Sequence, residues 1–382
     1  DLYSGVFMDR RKFVSALGLG SAAALAGCGQ QSGSEKAKPA STDSGKTYEW
    51  KMVTTWPKNY PGLGTAPERF AERVKAMSNG RINIRVYGAG EMVPAFEVFE
   101  AVPQGSAALG HGAAYYWKRQ HPATPFFTAV PFGFTAQEMN GWLHYGGGQE
   151  LWDELYQQFN LKPFAAGNTG VQMAGWFRQE INSIEDMRNL KMRIPGVAGE
   201  VLKRIGGTPV DMPGGELYTS LQTGAIDATE WVGPYNDLTF GLHKIAKNYY
   251  YPGWHEPGPA LELIVNREIW DELPADLQQI VATAARAINQ DMLDEYTARN
   301  NQALQELVNE HGVKVQRLPM DVMKALKQAG DEVIEELIAG NEFAKRVHES
   351  FRAFEENALA YARVSELAYM NMREQILTSP SS

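Results

Sequence analysis

The chain has 382 residues, one cysteine, seven histidines and a formal net charge of −9 at pH 7. This acidic balance argues against a nucleic-acid partner and against a basic membrane-binding face. A single cysteine forms no internal disulfide, and because the histidines make no HxxxH or HExxH pattern, a zinc site is not expected.

The first element in the chain is an export signal over residues 8–28. An arginine pair, Arg10 and Arg11, precedes an apolar run of roughly a dozen residues, which is too short to span a bilayer as a mature helix. The pair also fits the twin-arginine type of signal. The signal predicts that the protein works in the periplasm.

The signal ends in Leu-Ala-Gly-Cys, which resembles a lipobox and predicts that a lipid on Cys28 tethers the protein to a membrane. The alternative is a chance thiol, because the preceding Ala-Leu-Ala would also serve a peptidase of soluble export. Residues 29–46 are polar and rich in Ser, Lys, Pro and Gly, the composition of a flexible linker. About 330 residues follow, enough for two lobes rather than one core.

Strands and helices alternate after the linker. The patterns predict, in order, a strand at 48–56, a helix at 65–77, a strand at 82–87, a helix at about 95–102 and a strand at 107–112. Such an alternation is the signature of a parallel sheet with crossover helices.

This unit recurs 119 residues later, since residues 97–111 align with residues 216–230 as a helix, a glycine and a short strand. The second unit also has a strand at 190–195 and a helix at 200–205. Although helix–Gly–strand is a common pattern, we predict two α/β lobes that face each other, with the ligand at the carboxyl ends of the strands. Three side chains are then expected to point into the cleft, those of His111, Arg193 and Glu230.

The last third of the chain is mainly helical. Residues 274–311 have no glycine or proline after the first position and predict one long helix that runs along both lobes. A terminal helix at about 343–377 carries an apolar stripe from Phe351 to Ile376, which needs a cover. The cover is either the same helix of a second subunit, which predicts a homodimer, or the protein's own lobes.

Arg193 is the first candidate for binding chemistry. It ends a β-like run just before a Pro-Gly turn, where a guanidinium can clamp a carboxylate through two parallel hydrogen bonds. The alternative is an ordinary surface arginine at a strand end.

A set of oxygen ligands is the second candidate. Glu230 follows the strand of the repeat, Glu256 lies on a later loop, and Gln172 lies four residues after Asn168. Two carboxylates, an amide and any free carbonyl suit sodium, calcium or magnesium rather than a soft metal. The alternative for each glutamate is a solvated loop charge.

Aromatic residues are the third candidate. Trp56 ends the first strand, and Tyr116 follows the strand that ends near His111. Aromatic side chains are more often core than ligand contacts, but these two lie where strand ends meet the predicted cleft.

Two sequence blocks resemble the solute-binding subunits of TRAP transporters. They are Lys-Met-Arg-Ile-Pro-Gly at 191–196 and Pro-Gly-Gly-Glu-Leu-Tyr-Thr-Ser-Leu-Gln-Thr-Gly-Ala-Ile-Asp-Ala-Thr-Glu-Trp at 213–231. The resemblance covers essentially the whole mature chain. It implies an α/β, two-lobed periplasmic binding protein fold with a long lobe-spanning helix and a long C-terminal helix. It also implies that Arg193 clamps the carboxylate of an organic acid, which the protein delivers to membrane permease subunits.

Within that family the chain is most similar to the branch that binds 2-oxo and 2-hydroxy monocarboxylates, such as pyruvate or lactate, with a metal cation. The resemblance implies that a sodium or calcium ion is held by Gln172, Glu230, Glu256 and the carbonyl of Trp231. It assigns the acid to a set that comprises Arg193, Gln172, Tyr116, Trp56, Trp231 and Asn168. Subunits of that branch exchange their last helices, which also implies a homodimer.

We place lobe I at 47–167 and 255–298, lobe II at 168–254 and 299–342, and a dimerisation element at 343–378. A function of another class is a cation-dependent extracytoplasmic enzyme that acts on 2-oxo acids. Against it, the chain shows no Ser/His/Asp or Cys/His arrangement, no phosphate loop and no dinucleotide fingerprint outside the signal, and no obvious general base. We therefore favour a binding protein that is not an enzyme.

Overall fold

The computed structural model of the protein describes residues 45–378. The export signal at 8–28, its Cys28 and nearly all of the linker at 29–46 lie outside the described residues. No helix in the described part is long and apolar enough to cross a lipid bilayer.

The strands of the described part are β1 (Tyr48–Thr54), β2 (Ile82–Tyr87), β3 (Leu109–Gly112), β4 (Leu161–Asn168), β5 (Gly175–Phe177), β6 (Lys191–Arg193), β7 (Thr208–Val210), β8 (Ala228–Thr229), β9 (Asn248–Tyr251), β10 (Ala260–Asn266) and β11 (Lys314–Arg317). The α-helices are α1 (Thr65–Met77), α2 (Val98–Ala101), α3 (Ala136–Tyr145), α4 (Gly148–Gln157), α5 (Gly196–Arg204), α6 (Leu217–Thr223), α7 (Pro234–Phe240), α8 (Arg267–Asp271), α9 (Ala275–Asn309), α10 (Met320–Ala339), α11 (Glu342–Ala362) and α12 (Glu366–Thr378).

Two mixed sheets share one arrangement of strands. The first has the order β2-β1-β3-β10-β4, and the second has the order β11-β9-β5-β8-β6-β7. In the first sheet β1 pairs in parallel with β2 and β3, and β10 runs antiparallel to β3. In the second sheet β6 pairs in parallel with β7 and β8, and β5 runs antiparallel to β8. The common arrangement agrees with the internal repeat that the sequence predicts.

The repeat also holds in detail. Strand β3 begins at Leu109 and β8 at Ala228, the same spacing as in the sequence alignment. The preceding turns contain Gly105 and Gly224, whose φ angles are 76° and 77°. A residue with a side chain rarely adopts this left-handed conformation, so glycine is needed at both positions.

Two predicted helices begin differently in the structure. The helix expected at about 95–102 is a 3₁₀ turn, Ala95–Glu97, that continues into the short α2. The helix expected at 200–205 starts at Gly196, because Val197 and Ala198 are buried in the core and tertiary packing overrides the weak helical propensity of the neighbouring glycines.

Helix α9 confirms the prediction of a long helix along both lobes. Its 35 residues span about 50 Å at a rise of 1.5 Å per residue. It packs on α1 and β4 beside the first sheet and on α7 beside the second. One continuous helix therefore contacts the first sheet through β4 and the region of the second sheet through α7.

The long C-terminal helix predicted at about 343–377 is present, but it has one interruption that the sequence did not predict. Between α11 and α12, Val364 N donates to Tyr361 O and Ser365 N donates to Ala362 O over three residues instead of four. The hydroxyl of Ser365 also donates to Tyr361 O at 2.8 Å. A serine that bonds to the preceding turn competes with the α-helical pattern and favours the break.

The two halves of this terminal region differ in burial. Phe351 of α11 is 2% exposed and stacks on Phe134 with ring centroids 3.8 Å apart, so this part of the predicted stripe is covered by the same chain. Helix α12 has no buried residue, and Val364, just before it, is 76% exposed. Only the end of the stripe lacks a cover within the described residues.

His111 is a buried histidine of β3 that is hydrogen-bonded to Trp56, which follows β1, and to Ala166 of β4. The Nδ1 atom accepts a hydrogen bond from Trp56 Nε1 at 2.8 Å, and Nε2 lies 3.0 Å from Ala166 O. Nε2 must therefore carry the proton of a neutral ring. Burial lowers the pKa of His111 to about 4, although the bond to Ala166 opposes the shift.

We predict that acid destabilises the protein through His111. Its pKa is lower in the folded state than in the unfolded chain, so the contribution is complete above pH 6.5 and is lost as the pH falls towards 4. At pH 5 the contribution of His111 to the free energy of unfolding should be about 2 kcal/mol below its value at pH 8. His111→Gln can keep both hydrogen bonds but does not titrate. In denaturant unfolding, the difference in free energy of unfolding between the native protein and this variant should therefore change by about 2 kcal/mol from pH 8 to pH 5. The half-exposed His311→Gln is the control, and an unchanged difference for His111→Gln would contradict the assignment.

Candidate functional site

Strand ends from the second sheet and a turn after the first deliver the predicted binding residues to one buried place. Strand β6 ends at Arg193, β8 is followed by Glu230, and β4 is followed by a turn that carries Gln172. The loop between β9 and β10 brings Glu256. The arginine, the two carboxylates and the glutamine are thus assembled from four separate parts of the chain.

The centre of this site is a buried ion pair. Arg193 Nη1 donates to Glu230 Oε1, and the side chains are 1% and 0% exposed. Arg193 Nε donates to Met212 O at 3.1 Å, and its guanidinium lies 5.1 Å from the Trp231 ring centroid. Burial opposes the charge of Arg193, but the carboxylate of Glu230 raises its pKa overall. The guanidinium is thus a permanent cation rather than a solvated surface group.

Glu256 is a second buried carboxylate beside this pair. Gln172 Nε2 donates to Glu256 Oε2 at 2.8 Å, and the backbone N–H of Gln172 donates to Glu256 O at 3.2 Å. Burial and then the charge of Glu230 hold the pKa of Glu256 well above its usual range, although Arg193 opposes them. The two glutamates therefore repel each other with only one guanidinium between them.

His255 also belongs to this group, and the sequence reasoning missed it. Its Nε2 lies 3.3 Å from Glu230 Oε2, and the ring is 2% exposed. Ligand atoms of Glu230, His255 and Glu256 all lie within 4.8 Å of one another. Its place next to Glu256 in the chain was the available signal, but a search for spaced histidine pairs does not detect it.

Three buried polar atoms in this cluster have no hydrogen-bond partner within residues 45–378. They are Arg193 Nη2, Gln172 Oε1 and His255 Nδ1. Buried polar groups in folded proteins almost always have partners, so several orphans in one place indicate a polar ligand. The donor on Arg193 suits an anion, and the amide oxygen beside two carboxylates suits a hard cation. The residues present therefore fit both an anion and a hard cation.

Aromatic rings line the same place. Trp56 lies 6.3 Å from both Tyr116 and Trp231, measured between ring centroids. Trp56 is fixed by its hydrogen bond to His111. Burial raises the pKa of Tyr116 to about 12, although Arg193 opposes the rise, so its hydroxyl is neutral.

Asn168 occupies a different position from the other candidates. Its side-chain oxygen accepts from Gly170 N at 2.9 Å, and its Nδ2 donates to Gly258 O at 3.0 Å. These bonds hold the turn that leads to Gln172 against the loop after Glu256. A direct contact of Asn168 with the acid stays a prediction.

Similar proteins are known in sequence and in structure. Residues 52–341 match the sequence family described as bacterial extracellular solute-binding protein, family 7. The monocarboxylate 2-oxoacid-binding periplasmic protein of Nostoc sp. is 42% identical over 368 residues, which cover 95% of this chain and 98% of that protein.

Two solved structures share the fold over nearly their whole length. A TRAP periplasmic solute-binding protein from Pseudoalteromonas atlantica, with bound sodium and pyruvate, is 44% identical at a TM-score of 0.83 and covers 85% of this chain and 99% of its own. A TRAP transporter solute-binding protein from Bordetella bronchiseptica is a mixed occupancy dimer with copurified calcium and picolinate in one active site and an apo site. It is 35% identical at a TM-score of 0.85 and covers 87% of this chain and 99% of its own.

These similarities confirm the α/β fold with its two lobes and long helices, and they confirm the family resemblance. The chain belongs to family 7 of the bacterial extracellular solute-binding proteins, the DctP family of TRAP transporter solute-binding proteins.

Proposed function

We propose that the protein captures a small 2-oxo or 2-hydroxy monocarboxylate, of the pyruvate or lactate kind, together with a sodium or calcium ion. It would deliver the acid to the membrane permease subunits of a TRAP transporter. The observation that carries this proposal is the cluster of buried polar atoms without partners beside two buried carboxylates. The cluster contains a donor for an anion and an acceptor for a cation.

The charges of the site support joint binding. Arg193 supplies one positive charge against the carboxylates of Glu230 and Glu256, and all three are buried. A monocarboxylate would add another negative charge in the same low-dielectric place, which is costly without an opposite charge. A cation next to the two glutamates offsets that excess.

The acid would lie against Arg193, whose free Nη2 donor is available to a carboxylate. Trp56, Tyr116 and Trp231 would form the walls of a small pocket. In two similar proteins the ligands are pyruvate and picolinate, each present with a metal ion. Both molecules carry a second donor atom next to the carboxylate, a keto oxygen or a ring nitrogen. A metal chelated by these two atoms explains why one site suits both.

The cation would be held by Glu230, Glu256, the side-chain oxygen of Gln172 and the carbonyl of Trp231. Hard oxygen ligands of this kind prefer sodium and calcium. Gln172 supports the assignment, because its Nε2 already donates to Glu256 and leaves Oε1 free to face a positive charge.

We propose further that the protein binds the acid without converting it. The family consists of solute-binding proteins, and the cluster provides one arginine and carboxylates suited to holding charge. The competing function is a cation-dependent enzyme that acts on 2-oxo acids. Incubation with pyruvate and calcium, followed by NMR of the acid, distinguishes the two functions.

The lobe boundaries and the membrane tether are also part of the proposal. Lobe I would comprise 47–167 and 255–298, and lobe II 168–254 and 299–342. A lipid on Cys28 would hold the protein at a membrane after export through the twin-arginine route. Mass spectrometry of the exported protein tests the lipid directly.

The exposed end of the chain supports a homodimer. Val364, Ile376 and Leu377 are 76%, 65% and 77% exposed in the single chain. Apolar residues repeated along one terminal segment usually mark an interface, and exchange between identical subunits would cover both copies. Helix α11 is already packed on its own lobe, so we assign the exchange to the part after Ala362 within 343–378.

We predict that Arg193→Lys weakens acid binding tenfold to a hundredfold. Lysine keeps the charge but lacks the planar fork, so it cannot hold Glu230 and a carboxylate at once. Isothermal calorimetry with pyruvate measures the effect. Arg204→Lys, which changes a surface ion pair with Glu332, is the matched control. Equal affinities for both variants would contradict the clamp.

We predict that Glu256→Gln weakens both calcium and pyruvate at least tenfold without destabilising the free protein. The variant removes a carboxylate that is buried beside Glu230, but a glutamine oxygen can still accept from Gln172. Calorimetry and thermal unfolding measure the two effects. Glu262→Gln is the control, since Glu262 is equally buried but bonds to Trp117 and Tyr156. If the variant lost calcium binding but bound pyruvate as well as the native protein does, the two ligands would not share a site.

We predict a dimer whose assembly depends on the last helix. Light scattering of the mature protein at micromolar concentration should give twice the chain mass, and a chain ending at Ala362 should be a monomer. The shortened chain should still bind pyruvate, because it keeps all residues of the cluster. A monomer mass for the full mature protein would contradict the dimer.

A further inference from the structure

One peptide bond in the site has an unusual environment. Three carbonyls follow each other after β8, and two of them are occupied. Glu230 O accepts from Thr229 Oγ1 at 2.8 Å, and Val232 O accepts from Met173 N at 2.9 Å. The carbonyl between them, that of Trp231, has no hydrogen-bond donor among residues 45–378.

The other side of the same peptide bond is held by a buried carboxylate. Val232 N donates to Asp237 Oδ1 at 3.2 Å. In a trans peptide the N–H and the C=O point in opposite directions. Asp237 therefore sets the direction of the Trp231 carbonyl, which must point away from it.

Asp237 is itself locked in place. Its Oδ2 accepts from Trp176 Nε1 at 3.0 Å and from the hydroxyl of Tyr249 at 2.7 Å. The rings of Trp176 and Tyr249 stack with centroids 3.9 Å apart. With Asp237 only 1% exposed, the carboxylate cannot turn without breaking these bonds.

We propose that Asp237 is a positioning residue for the cation site. It fixes the direction of the Trp231 carbonyl and makes that oxygen a stronger ligand. A negative acceptor on an N–H draws electron density towards the oxygen of the same amide, and such an oxygen is a better ligand for a hard cation. Asp237 would act through the peptide bond, without itself contacting the acid or the cation. This inference rests on the proposed function, because it takes the Trp231 carbonyl as a cation ligand.

The first test is a calcium titration of three proteins. Calcium chloride is titrated by calorimetry into cation-depleted native protein, Asp237→Asn and Tyr249→Phe. Burial raises the pKa of Asp237 to about 7, so the titration is done well above that pH, where the side chain is charged. The asparagine variant then removes the charge that accepts from Val232 N, and it should weaken calcium binding at least tenfold. Tyr249→Phe removes one donor to the same carboxylate but keeps the bond to Val232, so its affinity should stay within twofold. If the calcium affinity of Asp237→Asn were within twofold of the native value, the proposal would be overturned.

The second test needs only the native protein. Trp231-Val232 is the only Trp-Val pair in the sequence, so labelling with carbonyl-¹³C tryptophan and ¹⁵N valine gives one signal in an HNCO spectrum. Calcium should shift the Trp231 carbonyl signal, and Asp237→Asn, where it folds, should move the signal and reduce the shift. If the chemical shift of the Trp231 carbonyl in the native protein does not change when calcium binds, the proposal is overturned. Native protein that binds neither calcium nor sodium would contradict the proposed function as well.

Discussion

The buried ion pair between Arg193 and Glu230 is the interaction on which the rest of the site depends. Removing one partner of such a pair costs about 3–5 kcal/mol, because the other charge stays buried without a partner. Glu256 adds a second buried carboxylate beside this pair, and burial and then the charge of Glu230 raise its pKa. Arg193 Nη2 and Gln172 Oε1 also lack partners. Under the proposed function, an anion and a cation together satisfy these groups, and this would be the physical basis of coupled capture.

A second layer of polar contacts holds the first layer in position. Trp56 is fixed by His111, whose other nitrogen is tied to Ala166. On the opposite side Asp237 fixes the peptide bond after Trp231. His111 lies on β3, and Asp237 lies on α7 but is bonded to Trp176 of β5 and Tyr249 of β9. Both supports are therefore tied to strands, which are rigid elements. Helix α9 packs on β4 of the first sheet and on α7 beside the second.

The sequence predicted the features that repeat or that come at the ends of strands. The spacing between the glycine turns at Gly105 and Gly224 is retained in the structure, and Arg193 and Glu230 meet because they lie at the ends of paired parallel strands. His255 was missed although it is next to Glu256, because its contact with Glu230 forms only in the folded chain. Asp237 was missed because the bond from Trp176 that holds it comes from a segment 61 residues away. The break after Ala362 was missed for a different reason. The apolar pattern continues through it, and only the local bonds of Ser365 reveal the change.

The central claim is that acid and cation bind to one shared site and therefore depend on each other. The most direct test is a closed thermodynamic cycle measured by calorimetry in chelator-treated, sodium-free buffer. Pyruvate is titrated with and without saturating calcium, and calcium is titrated with and without saturating pyruvate. The account predicts that calcium strengthens pyruvate binding at least tenfold and that pyruvate strengthens calcium binding by the same factor. Pyruvate affinity that is the same with and without the cation would contradict it.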